Sequence, residues 1–258
     1  EFTTIPEDEL FERKGISLKD PVNQELFRLR KVLESFCEQD VSNITDAIIE
    51  QNWPLLESSA QAVNLHRLER PEMTDELWGY LVKACQIVVC RVKWAISDER
   101  WKWYRSIFLE ASTDKYPEAS EDDDAEEDCW PCWGSPAPRI DATLGLLDLA
   151  NRLERVDDQI VVALLKLSQD KSHPLRFNMG PRLAALEQAA PKLMWQLIDQ
   201  FIRDEQRLSV LEMVLESLQD LLRRASEEVK PRLARIANRA MKSAPDESHI
   251  HETLARIH

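Results

Sequence analysis

Residues Asp170–Phe201 read DKSHPLRFNMGPRLAALEQAAPKLMWQLIDQF. The spacing predicts a turn, a helix, a second turn at Pro191 and then a further helix. In that last helix Leu193, Met194, Trp195, Leu197, Ile198, Phe201 and Ile202 leave few polar sides. Such a helix needs more than one neighbour to cover it. It is therefore predicted to lie against its own partner helix and against the next pair, Arg207 to Met241, with Met194, Leu197 and Phe201 shielded from water. The stretch is one layer of a stacked helical array.

The rest of the chain repeats this style. Asp20-Pro21 gives an N-cap followed by a first-turn proline, and Leu26, Leu29, Leu33, Phe36 and Cys37 then mark one buried face. A short helix is expected from Ser42 or Asn43, another from Trp53-Pro54 through Val63, and a long one capped by Thr74 along Leu77, Leu81, Cys85 and Val88. Ser97-Asp98-Glu99 is expected to cap a helix carrying Trp101, Tyr104, Ile107 and Phe108. Beyond residue 135, helices are expected at Ser135–Ala150, Asp157–Leu167, Arg207–Leu222 and Val229–Met241. The organisation expected is a flexible arm at 1–20, a helical region at 21–111, a loop at 112–134, repeated helices at 135–244 and a tail at 245–258.

Composition narrows the class. The 258 residues include only five glycines, whereas phosphate-cradling loops and tight strand-to-helix turns call for residues free to adopt positive φ. Leu, Ala, Glu and Arg dominate and alternating β patterns are scarce, so the fold expected is all-α. Of the net charge of −14, residues 118–128 (EASEDDDAEED) contribute eight carboxylates and no base, leaving −6 elsewhere. That run is expected to be a disordered, solvated loop inserted near the middle, since self-repulsion and the lack of apolar side chains oppose packing. An acidic chain makes a poor polyanion binder, so nucleic acid is not the partner expected. Five scattered cysteines read as reduced thiols, and no signal peptide or apolar span stands out. The expectation is a cytoplasmic protein without membrane contact. The opening Glu1-Phe2, with no methionine, is read as the edge of a fragment from a larger multidomain protein.

Asp170-Lys-Ser-His-Pro-Leu175-Arg176 resembles the inter-helix turn of HEAT repeats, in which an Asp is followed five and six residues on by an aliphatic residue and an Arg. Leu175 stands where that family prefers Val. Pro138-Arg139-Ile140-Asp141-Ala142 looks like a second copy, and the intervals Arg139 to Arg176 and Arg176 to Arg207 are 37 and 31 residues. HEAT units run to about 40 residues. The resemblance covers 135–242 and implies a right-handed α-solenoid of antiparallel helix pairs, with Asp170 and Arg176 in structural ladders between repeats. In texture the array is also similar to the helical sensor regions of large bacterial signalling ATPases of the STAND class. The role these resemblances imply is that of a non-catalytic protein-interaction or ligand-sensing module, a scaffold whose partner is another protein or an adjacent domain of the same parent.

Candidate chemistry is sparse. Cys129-x-x-Cys132 has the spacing of two zinc ligands, but a structural site needs four, and His249 and His251 would have to return from far along the chain. A redox role would need a strand-to-helix junction, which the sequence does not offer. Zinc- or redox-dependent function is thus an alternative reading, and two incidental loop cysteines the plainer one. Trp130 and Trp133 flank the cysteines and, with Trp101 and Trp103, form either a recognition pocket or an anchor for the loop. Arg232, Arg235, Arg239 and Lys242 form a basic stripe, and residues 221–242 carry a local charge of +5. The stripe suits an acidic partner or, as a further alternative, nucleic-acid phosphates; the plainer account is a ladder against Glu212, Glu216 and Asp220 on the preceding helix. His66 is isolated, and His173, before Pro174 in a turn, is expected to be exposed. No Walker loop, nucleophile elbow or HExxH motif occurs, so no catalytic residue and no cofactor are expected.

Overall fold

The computed structural model describes residues 7–92, 99–118, 136–153, 156–243, 250 and 253–254. Among them every regular element is helical: eleven α-helices and two 3₁₀ segments. The chain divides into two compact units, Glu1–Lys93 and Trp94–His258.

In the first unit α1 (Glu7–Arg13) precedes α2 (Pro21–Cys37), α3 (Asp46–His66) and α4 (Pro71–Arg91). Asp20 caps α2 by accepting from the Val22 and Asn23 backbone N–H groups, and Arg70, just before α4, donates to Asp20 and to the Asn23 side chain. One carboxylate thus closes a helix start and ties it to the start of another. α4 packs on both α2 and α3, which explains why Leu77, Trp78, Leu81, Val82, Cys85 and Val88 are all buried. α1 seals one end by setting Phe11 edge-on to Phe27. Residues 7–13 of the expected arm are therefore helical, with Phe11 in the core.

Two boundaries differ from the sequence reading. The two helices expected around Trp53-Pro54 are one, α3, which begins at its Thr45 cap and runs through Pro54. Pro54 is exposed, so the bond it forfeits is lost on the wet side of the helix. α4 starts at Pro71 rather than at Thr74, whose hydroxyl donates back to the Arg70 and Pro71 carbonyls inside the first turn.

The second unit contains α5 (Arg100–Ala111), α6 (Pro138–Arg152), α7 (Asp158–Leu167), α8 (His173–Met179), α9 (Pro191–Asp204), α10 (Leu208–Leu222) and α11 (Ser226–Ser243). α5, which the sequence reading groups with the helices before it, packs on α6 and α7. α6 also meets α8 and the 3₁₀ segment Gly180–Leu186, which in turn meet α10; alongside, α9 contacts α11. The helix expected after the Asp170 turn is thus shorter than its sequence suggests. Pro181 supplies no N–H, and the chain continues as the 3₁₀ segment. Gly180 has a separate reason to be glycine: a Cβ there would lie 2.8 Å from the Met213 Cβ and 3.1 Å from α10 backbone. The Ser217 hydroxyl locks this close approach, donating to the Gly180 carbonyl and accepting from the Ala184 N–H. Gly145 on α6 does the same for α5, since the Phe108 ring lies where its Cβ would be.

The burial expected of α9 is present: Leu193, Met194, Leu197, Ile198, Phe201 and Ile202 are all buried, while Pro191, Lys192, Gln196 and Arg203 face water. α9 is therefore strongly two-faced rather than apolar nearly all round. Beyond α11, Ile250 and Leu254 are buried and the Thr253 hydroxyl donates to Glu212 on α10, so part of the expected tail packs.

Candidate interaction surface

Two arginine-centred arrangements organise the second unit. The first runs along its inter-helix turns. Arg139, in the first turn of α6, donates to the carbonyls of Asp114 and Pro117 and to the carboxylate of Asp170 at 3.0 Å. Asp170 also accepts from the Ser172 N–H, closing the turn into α8. One step on, Arg176 of α8 donates to the Asp170 carbonyl and pairs with Glu205 at 2.6 Å, in the turn between α9 and α10. Glu205 in turn accepts from the backbone N–H groups of Gln206 and Arg207. The same move occurs twice: an arginine near a helix start takes up its own turn's carbonyl oxygens and reaches the acid of the following turn. Asp170 and Arg176 both take part, although their carboxylate and guanidinium do not pair with each other. The sequence reading missed Glu205, whose side chain is only 2% exposed. Arg207, expected as the next arginine of the series, is instead the N-cap residue of α10. A cleft of about 470 Å³ opens over these turns, lined in part by Lys171, Arg176, Gln200 and Glu205. Its charged groups largely answer one another, and buried Gln200 donates to Ser168 at 2.7 Å.

The second arrangement is the face shared by α9 and α11. Arg232 lies over the Trp195 ring, 4.2 Å from its centre, and pairs with Asp199 at 2.7 Å. Arg235 reaches the same carboxylate at 3.2 Å. Arg239 donates to the Ile202 and Glu205 carbonyls and so satisfies orphan acceptors at the C-terminus of α9. Residues 195, 199 and 202 thus meet 232, 235 and 239 in rising order, which means the two helices run parallel. The expected ladder between the basic stripe and Glu212, Glu216 and Asp220 is not what forms: the arginines turn to α9. The α10 acids keep one another company, and burial followed by the charges of Glu212 and Asp220 pushes the Glu216 carboxyl above its usual range.

The four stripe residues differ in availability. The Arg232 side chain is only 18% exposed and the Arg239 fork is spent on backbone, whereas Arg235 is 51% exposed and Lys242 lies open. Met241, next to Lys242 in sequence but round the helix from the stripe, is also exposed. Elsewhere in the unit, Arg105 of α5 pairs with Asp157, the N-cap of α7; the guanidinium hydrogen bond holds that carboxyl below its usual range despite partial burial.

Cys129, Trp130, Cys132, Trp133, His249 and His251 lie outside the described residues, as does most of the acidic run. Trp101 is core and Trp103 half-buried. His173 is buried rather than exposed: its Nε2 lies 3.0 Å from the Ser209 hydroxyl and its ring meets Phe177 edge-on. Cys37 and Cys85 are buried thiols in no disulfide, Cys37 donating to the Tyr80 carbonyl, and burial pushes the Cys85 thiol well up. Among the described residues no group of three His, Cys, Asp or Glu side chains is placed to hold a metal ion. Among them, too, no helix is long and apolar enough to cross a membrane. In the first unit a groove of about 710 Å³ runs beside α2, lined by Phe27, Val32 and Phe36 among polar side chains.

No protein family, curated protein or solved structure matches the chain.

Proposed function

We propose that this chain is a non-catalytic helical-repeat module that binds another protein or an adjacent domain of its parent, and that residues 100–243 are a HEAT-like right-handed α-solenoid. The observation that carries the reading is the turn ladder, Arg139 to Asp170 and Arg176 to Glu205. It repeats one interaction at successive turns, as stacked units related by a constant step require. The packing order supports it. α6, α8 with its 3₁₀ extension, and α10 make one row; α5 with α7, and α9 with α11, make contacts of a second. The parallel run of α9 and α11 is what equivalent helices of consecutive repeats would show. In such an array each helix pair has an apolar side that its neighbour covers, and the outer helix faces are left to partners or sensed ligands.

Cross-linking of the immobilised chain to proteins retained from a lysate, followed by mapping of the linked peptides, tests this reading. Links should concentrate on one face of residues 100–243. Links confined to residues 7–92, or scattered over both units, would overturn it. Arg235 and Lys242 are the positions to vary, because replacing Arg232 or Arg239 would disturb packing and binding together.

A further inference from the structure

We infer that the α9–α11 face docks an extended acidic peptide segment of a partner protein, an assignment that rests on the interaction-module reading above. After Glu228, α11 presents Arg232, Arg235, Arg239 and Lys242 at i, i+3, i+7 and i+10. Across from them α9 offers Lys192, Trp195 and Asp199, again one face of a helix. One carboxylate, Asp199, meets two guanidiniums. Arg239 adds a third cation whose hydrogen bonds go to carbonyls rather than to a carboxylate. Asp204 also feels Arg239, so Lys192, Arg232, Arg235, Arg239 and Lys242 stand against Asp199 and Asp204, and the face is positive in a chain whose net charge is −14. Field of that sign, set against the rest of the molecule, selects and orients an anionic partner.

The shape argues for a peptide. From Arg232 to Lys242 the helix rises about 15 Å, at roughly 1.5 Å per residue. An extended segment covers that length in about five residues. Arg235 and Lys242, the two open cations, lie about 10.5 Å apart along the axis, between the ~6.6 Å and ~13 Å that separate side chains two and four positions apart on one face of an extended strand. Acids at every second position thus place one long, flexible carboxylate within reach of Arg235 and another within reach of Lys242. The Arg232 guanidinium takes one face of the Trp195 ring, so that face is not open to a base. Asp199, in the middle of the face, opposes a continuous row of phosphates but leaves the outer edge of Arg235 and the Lys242 ammonium for separate carboxylates.

The test uses the full chain and a fluorescein-labelled peptide of alternating Glu and Ser, about ten residues long, chosen to overhang the stripe. Fluorescence anisotropy should show saturable binding that weakens with salt, and no binding of the Gln/Ser counterpart. Arg235→Glu combined with Lys242→Glu, checked for unchanged circular dichroism, should weaken binding about tenfold or more, because each reversal turns attraction into repulsion. A Lys102→Glu/Lys166→Glu control, distant in sequence on α5 and α7, should leave it unchanged. Equal loss in the control, or tighter binding of a single-stranded oligonucleotide than of the peptide, would overturn the assignment. So would peptide binding that emerges only when the acids of 118–128 are replaced by amides, since that would give the face to the chain's own acidic run. If a cross-linked partner is kept by the Arg235→Glu/Lys242→Glu variant while the peptide fails to bind, the acidic-peptide assignment falls and the module reading stands.

Discussion

Glu205 is nearly sealed from water, and its charge is held by Arg176 and two backbone N–H groups. Arg176→Met leaves that carboxylate without its cation, and a one-sided break of this kind costs about 3–5 kcal/mol. Urea titration should show that loss, and adding Glu205→Gln should recover part of it, giving a non-additive cycle. Were the two losses simply to add, the pair would not be acting as a unit. Glu216 gives a prediction of opposite sign. Its folded carboxyl sits above its usual range, raised by burial and then by Glu212 and Asp220, so the folded state holds a proton that the unfolded chain has already released. Stability therefore falls as pH rises through that window, and Glu216→Gln should raise Tm at pH 7 while making little difference below about pH 4. A Tm gain of equal size at both pH values would discount the charge explanation. Neither behaviour was legible in the chain. Asp170 and Arg139 could be picked out because a turn motif surrounds them, but Glu205 sits in a plain polar stretch and its meaning comes from an arginine 29 residues back.

Helix starts were the most legible elements, because a cap and its targets are neighbours in sequence. Asp20 and Asp157 do what their positions before α2 and α7 imply. Prolines were the least legible. Pro54 stops nothing, and Pro231 lies within α11, while Pro181 comes just after the point where α8 gives way to 3₁₀ geometry. Propensity sets a cost for each, and packing on either side determines whether the helix bears it. Since Pro54 is exposed within a continuous helix, Pro54→Ala should stabilise the first unit, by an amount up to about 3 kcal/mol. A destabilised variant would mean that α3 needs the bend. Close approach is equally invisible to periodicity. Gly145→Ala would drive a methyl to within 2.4 Å of the Phe108 ring, and overpacking of this sort costs about 1–3 kcal/mol. Phe108→Leu in that background should return part of the loss; if it adds to it, the clash is not the cause.

At the scale of the whole molecule the two compact units set which helices can share a perturbation. Hydrogen exchange on Arg176→Met should therefore speed exchange through α6–α11 most strongly beside the broken rung and leave α2–α4 at wild-type rates. Uniform acceleration through both units would contradict that division. What the amino-acid order settled was local or periodic: the all-helical character, the caps, the buried face of α9 and the cationic composition of α11. These arise from contacts within a few residues or from a repeat of 3.6, both of which are written in the order of residues. The choice of partners was settled in three dimensions. The stripe at Arg232 and Arg235 was expected to meet the acids of α10, its neighbour in sequence, and meets Asp199 because stacking lays α11 beside α9. The second helix after Asp170, read as the centre of an array, is indeed covered on its apolar face, but its wet face, with Trp195 beneath Arg232, joins the α11 stripe in a surface that neither helix's periodicity announced by itself. Charge is long-ranged and indifferent to chain order, so which acid a base finds depends on which helices packing brings together.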